Sequence, residues 1–197
     1  MITLEDCGTY DWGDLPDTDP ITSTGNYQTN AANNGPNHRI IDGLRLGTLI
    51  DEETDGQSSS DALGDDEDED GLILFSSLDL FPNQTFRVPF SYTNTTGNTA
   101  YVTAWVDWNG DGDFEDDAEM VVDYKDAKDG IFPPSLEIPI PVFAVTDSSI
   151  GFRIRLSHTD NMTPYGRVAS GEVEDYLLGI DCPQNICLPI EIDIDKE

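Results

Sequence analysis

The chain has 197 residues, of which 40 are acidic and 9 are basic, so its formal net charge is −31. Proteins that bind nucleic acid by neutralising phosphates need clustered lysine and arginine, and proteins that dock on anionic membrane surfaces need the same residues. The composition therefore excludes the first class and argues against the second. The 17 glycines and 12 prolines favour turns over long helices. We expect an acidic all-β domain whose charge is balanced by salty surroundings or by bound cations.

The ends of the chain carry the signals on location and redox state. No apolar run reaches the length of about 18 residues that a membrane span needs, so no membrane insertion is expected. The first residues lack the basic and apolar regions of a signal peptide. The chain is therefore expected to be either cytosolic or a mature segment of a secreted protein, and we favour the second. Cys7, Cys182 and Cys187 predict one disulfide, either Cys182–Cys187 or one from Cys7 to the C-terminal segment. Three free thiols are the alternative.

The predicted elements are short strands, in which apolar residues alternate with polar ones. Residues 1–37 contain turn formers and no sustained period, so they are predicted to be a loop. Strands are predicted within 39–50 (one or two), then at 72–81, 84–95, 99–108, 136–142, 152–156, 172–180 and 188–195. About eight short strands without a helix predict an antiparallel β-sandwich of the immunoglobulin-like or jelly-roll type, with long calcium-binding loops.

Two of these strands carry a further prediction about their surroundings. In residues 136–142 the outward positions include Pro139 and Pro141, which lack the N–H that a sheet ladder needs, so this strand is expected at a sheet edge. In residues 152–156 the apolar positions alternate with Arg153 and Arg155. That strand is expected to have a cationic outer face.

The segment Asp107–Glu119 is the strongest local signal. Its oxygen-bearing side chains alternate as in the first half of an EF-hand calcium loop, and glycines permit the tight winding. The loop departs from the EF-hand because position 12 is Ala118 and because a predicted strand, not a helix, precedes it. We predict a calcium loop on a β-scaffold, with an acidic solvated hairpin as the alternative. The predicted ligands are Asp107, Asn109, Asp111, Asp113 and Glu119.

The segment Gly171–Tyr176 opens a strand, and alternation places Glu172 and Glu174 on its inward face. Carboxylates on a core face are costly unless they are paired or bound to a metal. Because basic residues are few, we predict a second metal shared with the acidic run at 65–70, which includes Asp68 and Asp70. The alternatives are a salt bridge to Arg153 or Arg155, or plain exposure.

Residues 51–71 are dense in acids and nearly free of apolar groups. Such a block is usually a solvated or disordered loop. Its framing by Gly56, Gly64 and Gly71 favours an ordered ion-binding loop instead. Both interpretations stay open on the residues alone.

Six motifs occur in a fixed order along the chain, and together they resemble the GEVED domain of large secreted and cell-surface bacterial proteins. They are DWGDLPD (11–17), NGPNH (34–38), LG…DEETDGQ (46–57), DEDG (68–71), WVDWNGDGDF (105–114) and GEVEDY (171–176). The resemblance covers roughly residues 10–180 and implies a β-sandwich module without a known active site. It also implies family acids at Asp51, Glu53, Asp55, Asp68, Asp70, Asp107, Asp111, Asp113, Glu172, Glu174 and Asp175.

We therefore expect one GEVED-like domain at residues 1–180 and a C-terminal strand or linker at 181–197. Catalysis is not expected, because no nucleophile elbow, zinc-binding His-Glu-x-x-His or cysteine–histidine pairing occurs, and His38 and His158 are expected to be structural or exposed.

The expected function is that of a calcium-stabilised extracellular structural or adhesive module at the bacterial cell surface. Its expected partners are neighbouring domains or identical subunits, and a surface glycan or protein. One alternative is a filament subunit joined by strand exchange through residues 188–195. The other is a carbohydrate-binding module with stacking platforms at Tyr101, Trp105, Trp108 and Tyr165.

Overall fold

The computed structural model describes residues 8–64, 68–73, 80–126, 135–146 and 148–181. These residues form β-strands and one short 3-10 helix, Ala31–Asn33, so the predicted all-β class is confirmed. None of their helices is long and apolar enough to cross a membrane. The strands are β1 (Tyr10–Trp12), β2 (Asn37–Arg39), β3 (Leu44–Leu46), β4 (Thr85–Pro89), β5 (Tyr92–Asn94), β6 (Ala100–Val106), β7 (Met120–Asp126), β8 (Ser135–Pro139), β9 (Ser148–Ser157), β10 (Arg167–Val168) and β11 (Glu172–Ile180).

The main sheet has four antiparallel strands in the order β11-β9-β6-β7. Strand β6 shows the predicted alternation, because Val102, Ala104 and Val106 face one core while Tyr101 and Trp105 face another. A register shift lies between Ala104 and Trp105, where β6 pairs with β7. Both faces of this sheet are therefore covered by other parts of the chain.

Two small antiparallel sheets, β3-β5 and β4-β8, cover the first face and complete the sandwich. Phe86 and Val88 of β4 and Leu136 and Ile138 of β8 are buried there with the main-sheet residues. Among the described strands β8 pairs with β4 alone, with Pro139 opposite Thr85. The prediction that the proline-bearing strand lies at a sheet edge is confirmed.

The N-terminal segment covers the second face, and this reverses the prediction for the arginine-bearing strand. Leu15 and Tyr27 pack there with Trp105 and Phe114. Arg153 and Arg155, expected on a cationic outer face, are fully buried beneath the segment, so that expectation was wrong. The pattern of a single strand cannot report a cover supplied by a distant part of the sequence.

The predicted elements and the observed strands differ at a few places. Strand β7 was not predicted, because it is an edge strand without a regular alternation of exposed and buried apolar residues. Met120 is exposed, whereas Val122, two residues further on, is buried. The N-terminal region predicted as a loop contains β1 and the 3-10 helix, and β1 joins β2 and β10 in a three-stranded sheet. Much of the strand predicted at 72–81, the strand predicted at 188–195 and all three cysteines lie outside the described residues.

Candidate metal centre

Three buried carboxylates from distant parts of the sequence meet beside the start of β11. Asp11 lies in β1, Asp68 lies in the short segment 68–73, and Glu172 is the first residue of β11. Each offers one oxygen, and the three oxygens lie within 4.8 Å of one another. Asp11 and Glu172 are fully buried, and Asp68 is 6% exposed. These residues form one compact site, which we call the inner group.

Among the described residues, one oxygen of each inner-group carboxylate has a backbone N–H beside it and the other oxygen has no hydrogen-bond partner. Asp11 Oδ2 accepts from Val173 N at 2.7 Å, Glu172 Oε2 accepts from Leu46 N, and Asp68 Oδ2 lies 3.5 Å from Asp51 N. Within the described residues, Asp11 Oδ1, Asp68 Oδ1 and Glu172 Oε1 are buried and accept no hydrogen bond. Buried polar atoms are almost always satisfied, so an unsatisfied oxygen on each of three neighbouring carboxylates indicates a place for a positive partner.

The electrostatics of the inner group support the same conclusion. Burial and the nearby Glu172 carboxylate raise the pKa of Asp11 well above its ordinary value, and burial with Glu174 does the same to the pKa of Glu172. Burial, followed by the neighbouring Asp51, raises the pKa of Asp68 to about 7. In the described part of the chain no arginine or lysine forms a salt bridge with any of the three. Carboxylate oxygens are the ligands that Ca²⁺, Mg²⁺ and Mn²⁺ prefer, so the donor set fits a divalent cation of this kind.

Glu174 and Asp175, also predicted as metal ligands, have their oxygens occupied by protein donors. Glu174 Oε1 accepts from Gly71 N at 2.8 Å and its Oε2 from the Tyr176 hydroxyl at 2.9 Å. Burial is the main cause that raises the pKa of Glu174 to about 8. Asp175 forms a bidentate salt bridge with the fully buried Arg153, with both distances 2.7 Å. The two residues anchor other segments to β11. A salt bridge to Arg153 or Arg155 was the alternative considered for Glu172 and Glu174, whereas the residue that pairs with Arg153 is Asp175.

Asp70 and Asp55 also hold backbone amides. Asp70 Oδ1 accepts from Thr48 N at 2.8 Å, and Asp55 Oδ1 accepts from Ala31 N at 2.6 Å. The acidic stretch that the sequence marked as either solvated or ordered is thus tied to the rest of the fold at several points. The described part of the stretch is therefore ordered, and ion binding by it stays a prediction.

Gly71 is required for the close approach of its segment to Glu174. A Cβ atom on Gly71 would lie 2.4 Å from Glu174 Oε2 and 2.8 Å from Leu46 Cβ. We expect Gly71→Ala to lower the free energy of unfolding by about 1–3 kcal/mol, the usual effect of overpacking. Urea unfolding measures the loss. Gly179→Ala is the control, because a Cβ there meets nothing within 4 Å, and an equal loss in both variants would contradict the explanation.

The loop 107–119 is wound as the sequence predicts. Buried Asp107 accepts from Gly110 N at 2.6 Å and from Gly112 N at 3.0 Å, and both glycines have positive φ. Glu119 is 1% exposed, and its Oε1 accepts no hydrogen bond within the described residues. Burial raises the pKa of Glu119 to about 7.

The remaining predicted ligands of this loop are more exposed, and they bond to one another. Asn109 Oδ1 accepts from Asp111 N at 3.0 Å, and Asp111 Oδ1 accepts from Asp113 N at 3.3 Å. The described residues bring together two groups of three carboxylates, the inner group and a second one formed by Asp51, Glu53 and Asp68. No residue of the loop 107–119 belongs to either group. Calcium binding by this loop stays a prediction.

Asp11 is the inner-group residue that the sequence analysis missed as a ligand. It lies in a segment predicted to be a loop, and its strand is only three residues long, so alternation gives no signal. Its place in the DWGDLPD motif was the available indication. Its role depends on the pairing of β1 with β2 and on the hydrogen bond to Val173, which are tertiary contacts.

Two of the four aromatic residues proposed as sugar platforms are buried. Trp105 is 3% exposed and Trp108 is 1% exposed, because both rings belong to the cores of the sandwich. The Tyr165 hydroxyl accepts from Phe114 N at 3.1 Å, which ties that ring to the loop 107–119. The two tryptophans are therefore too buried to stack on a sugar, which removes two of the residues on which the carbohydrate-binding alternative was based.

The fold and the site define an all-β sandwich module whose N-terminal segment and acidic loop are fastened to one edge strand by carboxylates. The family model of the GEVED domain matches residues 101–179, from β6 into β11, so the chain contains a GEVED domain and the resemblance is confirmed there. No curated protein and no solved structure matches the chain.

Proposed function

We propose that the chain is a calcium-stabilised, non-catalytic structural or adhesive module of a secreted or cell-surface bacterial protein. The observation that carries this proposal is the inner group, in which three buried carboxylates lie close together and each has one oxygen without a hydrogen-bond partner among the described residues. Calcium takes six to eight oxygen ligands and accepts irregular geometry, which suits carboxylates drawn from three separate segments.

The cation would act as a cross-link in the folded module. Asp11, Asp68 and Glu172 come from β1, the segment 68–73 and β11, so one ion would join three parts of the chain. It would also offset the repulsion among these three carboxylates, which is strong because solvent screens buried charges poorly. Calcium sites of extracellular modules have dissociation constants of about 10⁻⁴–10⁻³ M, so a site of this kind would be filled at the proposed extracellular location.

The experiment is thermal unfolding in millimolar calcium and in chelator at equal ionic strength. At a calcium concentration about 100 times the dissociation constant, linkage gives about 2.7 kcal/mol for each site. In a domain of this length we expect Tm to rise by about 5–10 °C for each site. Sodium chloride at matched ionic strength is the control for general screening of the −31 charge. Equal Tm values in calcium and in chelator would overturn the proposal.

A further inference from the structure

Asp68 belongs to a second group of carboxylates besides the inner group. Asp51, Glu53 and Asp68 each offer one oxygen, and these three oxygens also lie within 4.8 Å of one another. Asp51 is exposed and Glu53 is half-buried. This second set, the outer group, therefore lies on the solvent side of the inner group and shares Asp68 with it.

Backbone contacts along β1 fix the position of the outer group. Glu53 N donates to Tyr10 O at 2.8 Å, and Glu53 Oε2 accepts from Trp12 N at 2.9 Å. The two contacts flank Asp11, so Glu53 is held beside the inner group. At least this member of the outer group is therefore fixed by the fold and is not a freely moving surface acid.

Asp68 provides an independent indication of a ligand. It is 6% exposed, and its Oδ1 accepts no hydrogen bond within the described residues. A carboxylate has two oxygens and about four lone-pair sites, so one aspartate can serve two cations. Asp68 is the member common to both groups, which is the position that a bridging ligand requires.

The charge of the combined site supports two ions over one. The two groups together contain five carboxylates: Asp11, Asp51, Glu53, Asp68 and Glu172. One divalent cation leaves most of this negative charge uncompensated, whereas two cations balance nearly all of it. Uncompensated charge is unfavourable where Asp11, Asp68 and Glu172 are buried.

We propose that Asp68 bridges two divalent cations, an inner ion held by Asp11 and Glu172 and an outer ion held by Asp51 and Glu53. This inference rests on the proposed function, because it extends the same site. The outer ion, beside the exposed Asp51, would exchange with solvent faster than the inner one. Neither ion depends on the loop 107–119.

The test counts the calcium ions bound by the full chain, by native mass spectrometry and by equilibrium dialysis after chelation. We expect Asp51→Asn to lose one ion, Glu172→Gln to lose the inner ion, and Asp68→Asn to lose two relative to the unaltered chain. Asp42→Asn, which replaces an exposed acid outside both groups, is the matched control and should lose none. Circular dichroism establishes that each variant is folded.

The outcomes separate the inference from the proposed function. An unchanged ion count in Asp51→Asn, or the loss of only one ion in Asp68→Asn, would overturn the bridged pair while leaving the inner site in place. A chain that binds no calcium would overturn both. A second measurement uses Mn²⁺, because paired metals about 3.5–4 Å apart are spin-coupled and isolated ones are not. The coupled signal is expected from the unaltered chain and should be absent from Asp51→Asn.

Discussion

Replacing Asp175 by alanine is expected to lower the free energy of unfolding by about 3–5 kcal/mol, because it leaves the guanidinium of Arg153 buried and unpaired. Arg153 and Asp175 are both fully buried, and their bidentate contact is the one buried salt bridge between described residues. The same substitution removes the acceptor of Asp14 N and Leu15 N, at 3.0 and 3.1 Å. The N-terminal cover would thus lose one of its attachments to β11, while the hydrogen bond from Val173 N to Asp11 remains.

Urea unfolding followed by tryptophan fluorescence measures this loss, in calcium and in chelator. The control is Glu137→Ala, which breaks the surface pair Arg87–Glu137, whose side chains are 68% and 56% exposed. Exposed pairs contribute about 0–1 kcal/mol, so the control should change little. Similar losses in the two variants would contradict the prediction, because the buried salt bridge would then stabilise the fold no more than the exposed one.

Glu172→Gln is expected to change stability with opposite signs in chelator and in calcium. In chelator the substitution removes one of several buried like charges, while the amide oxygen can still accept from Leu46 N. We expect a gain of about 1–3 kcal/mol there. In calcium the variant lacks a ligand of the inner ion, so it should lose that ion's share of the rise in Tm, about 5–10 °C, and become less stable than the unaltered chain.

The measurement is Tm in both solutions, with Glu137→Gln as an exposed control that should respond to calcium like the unaltered chain. A loss of the same size in chelator and in calcium would contradict this prediction. It would mean that Glu172 serves only as a hydrogen-bond acceptor for the backbone of β3.

The sequence predicts most of the long strands and two of the three inner-group residues, for a clear physical reason. Alternation is local, so β6 and β9 could be located from their apolar residues, and β8 could be placed at an edge from its prolines. Glu172 and Asp68 were predicted to share a metal, and the structure does bring them together. That prediction needed only the inward face of one strand and the scarcity of basic residues.

What could not be predicted depends on contacts between distant segments. The cover over Arg153 is built by residues such as Gln28, whose carbonyl accepts from the guanidinium at 3.0 Å. Asp11 becomes a site residue through the hydrogen bond to Val173, far along the chain. The acids of the GEVED motif can be identified from the sequence, but which of them could bind a cation and which anchor other segments cannot. The difference depends on which hydrogen-bond donors the fold places beside each carboxylate.

The contact between β1 and the start of β11 also has a mechanical consequence. A pull applied between Gly8 and Asp181 enters the fold at β1, close to Asp11, and leaves it at the end of β11. Because Asp11 is bonded to Val173 and shares a site with Glu172, tension can pass from β1 directly along β11. The long loops between them would then carry little of the force, so the resistance of the module to stretching would be set by this small carboxylate junction.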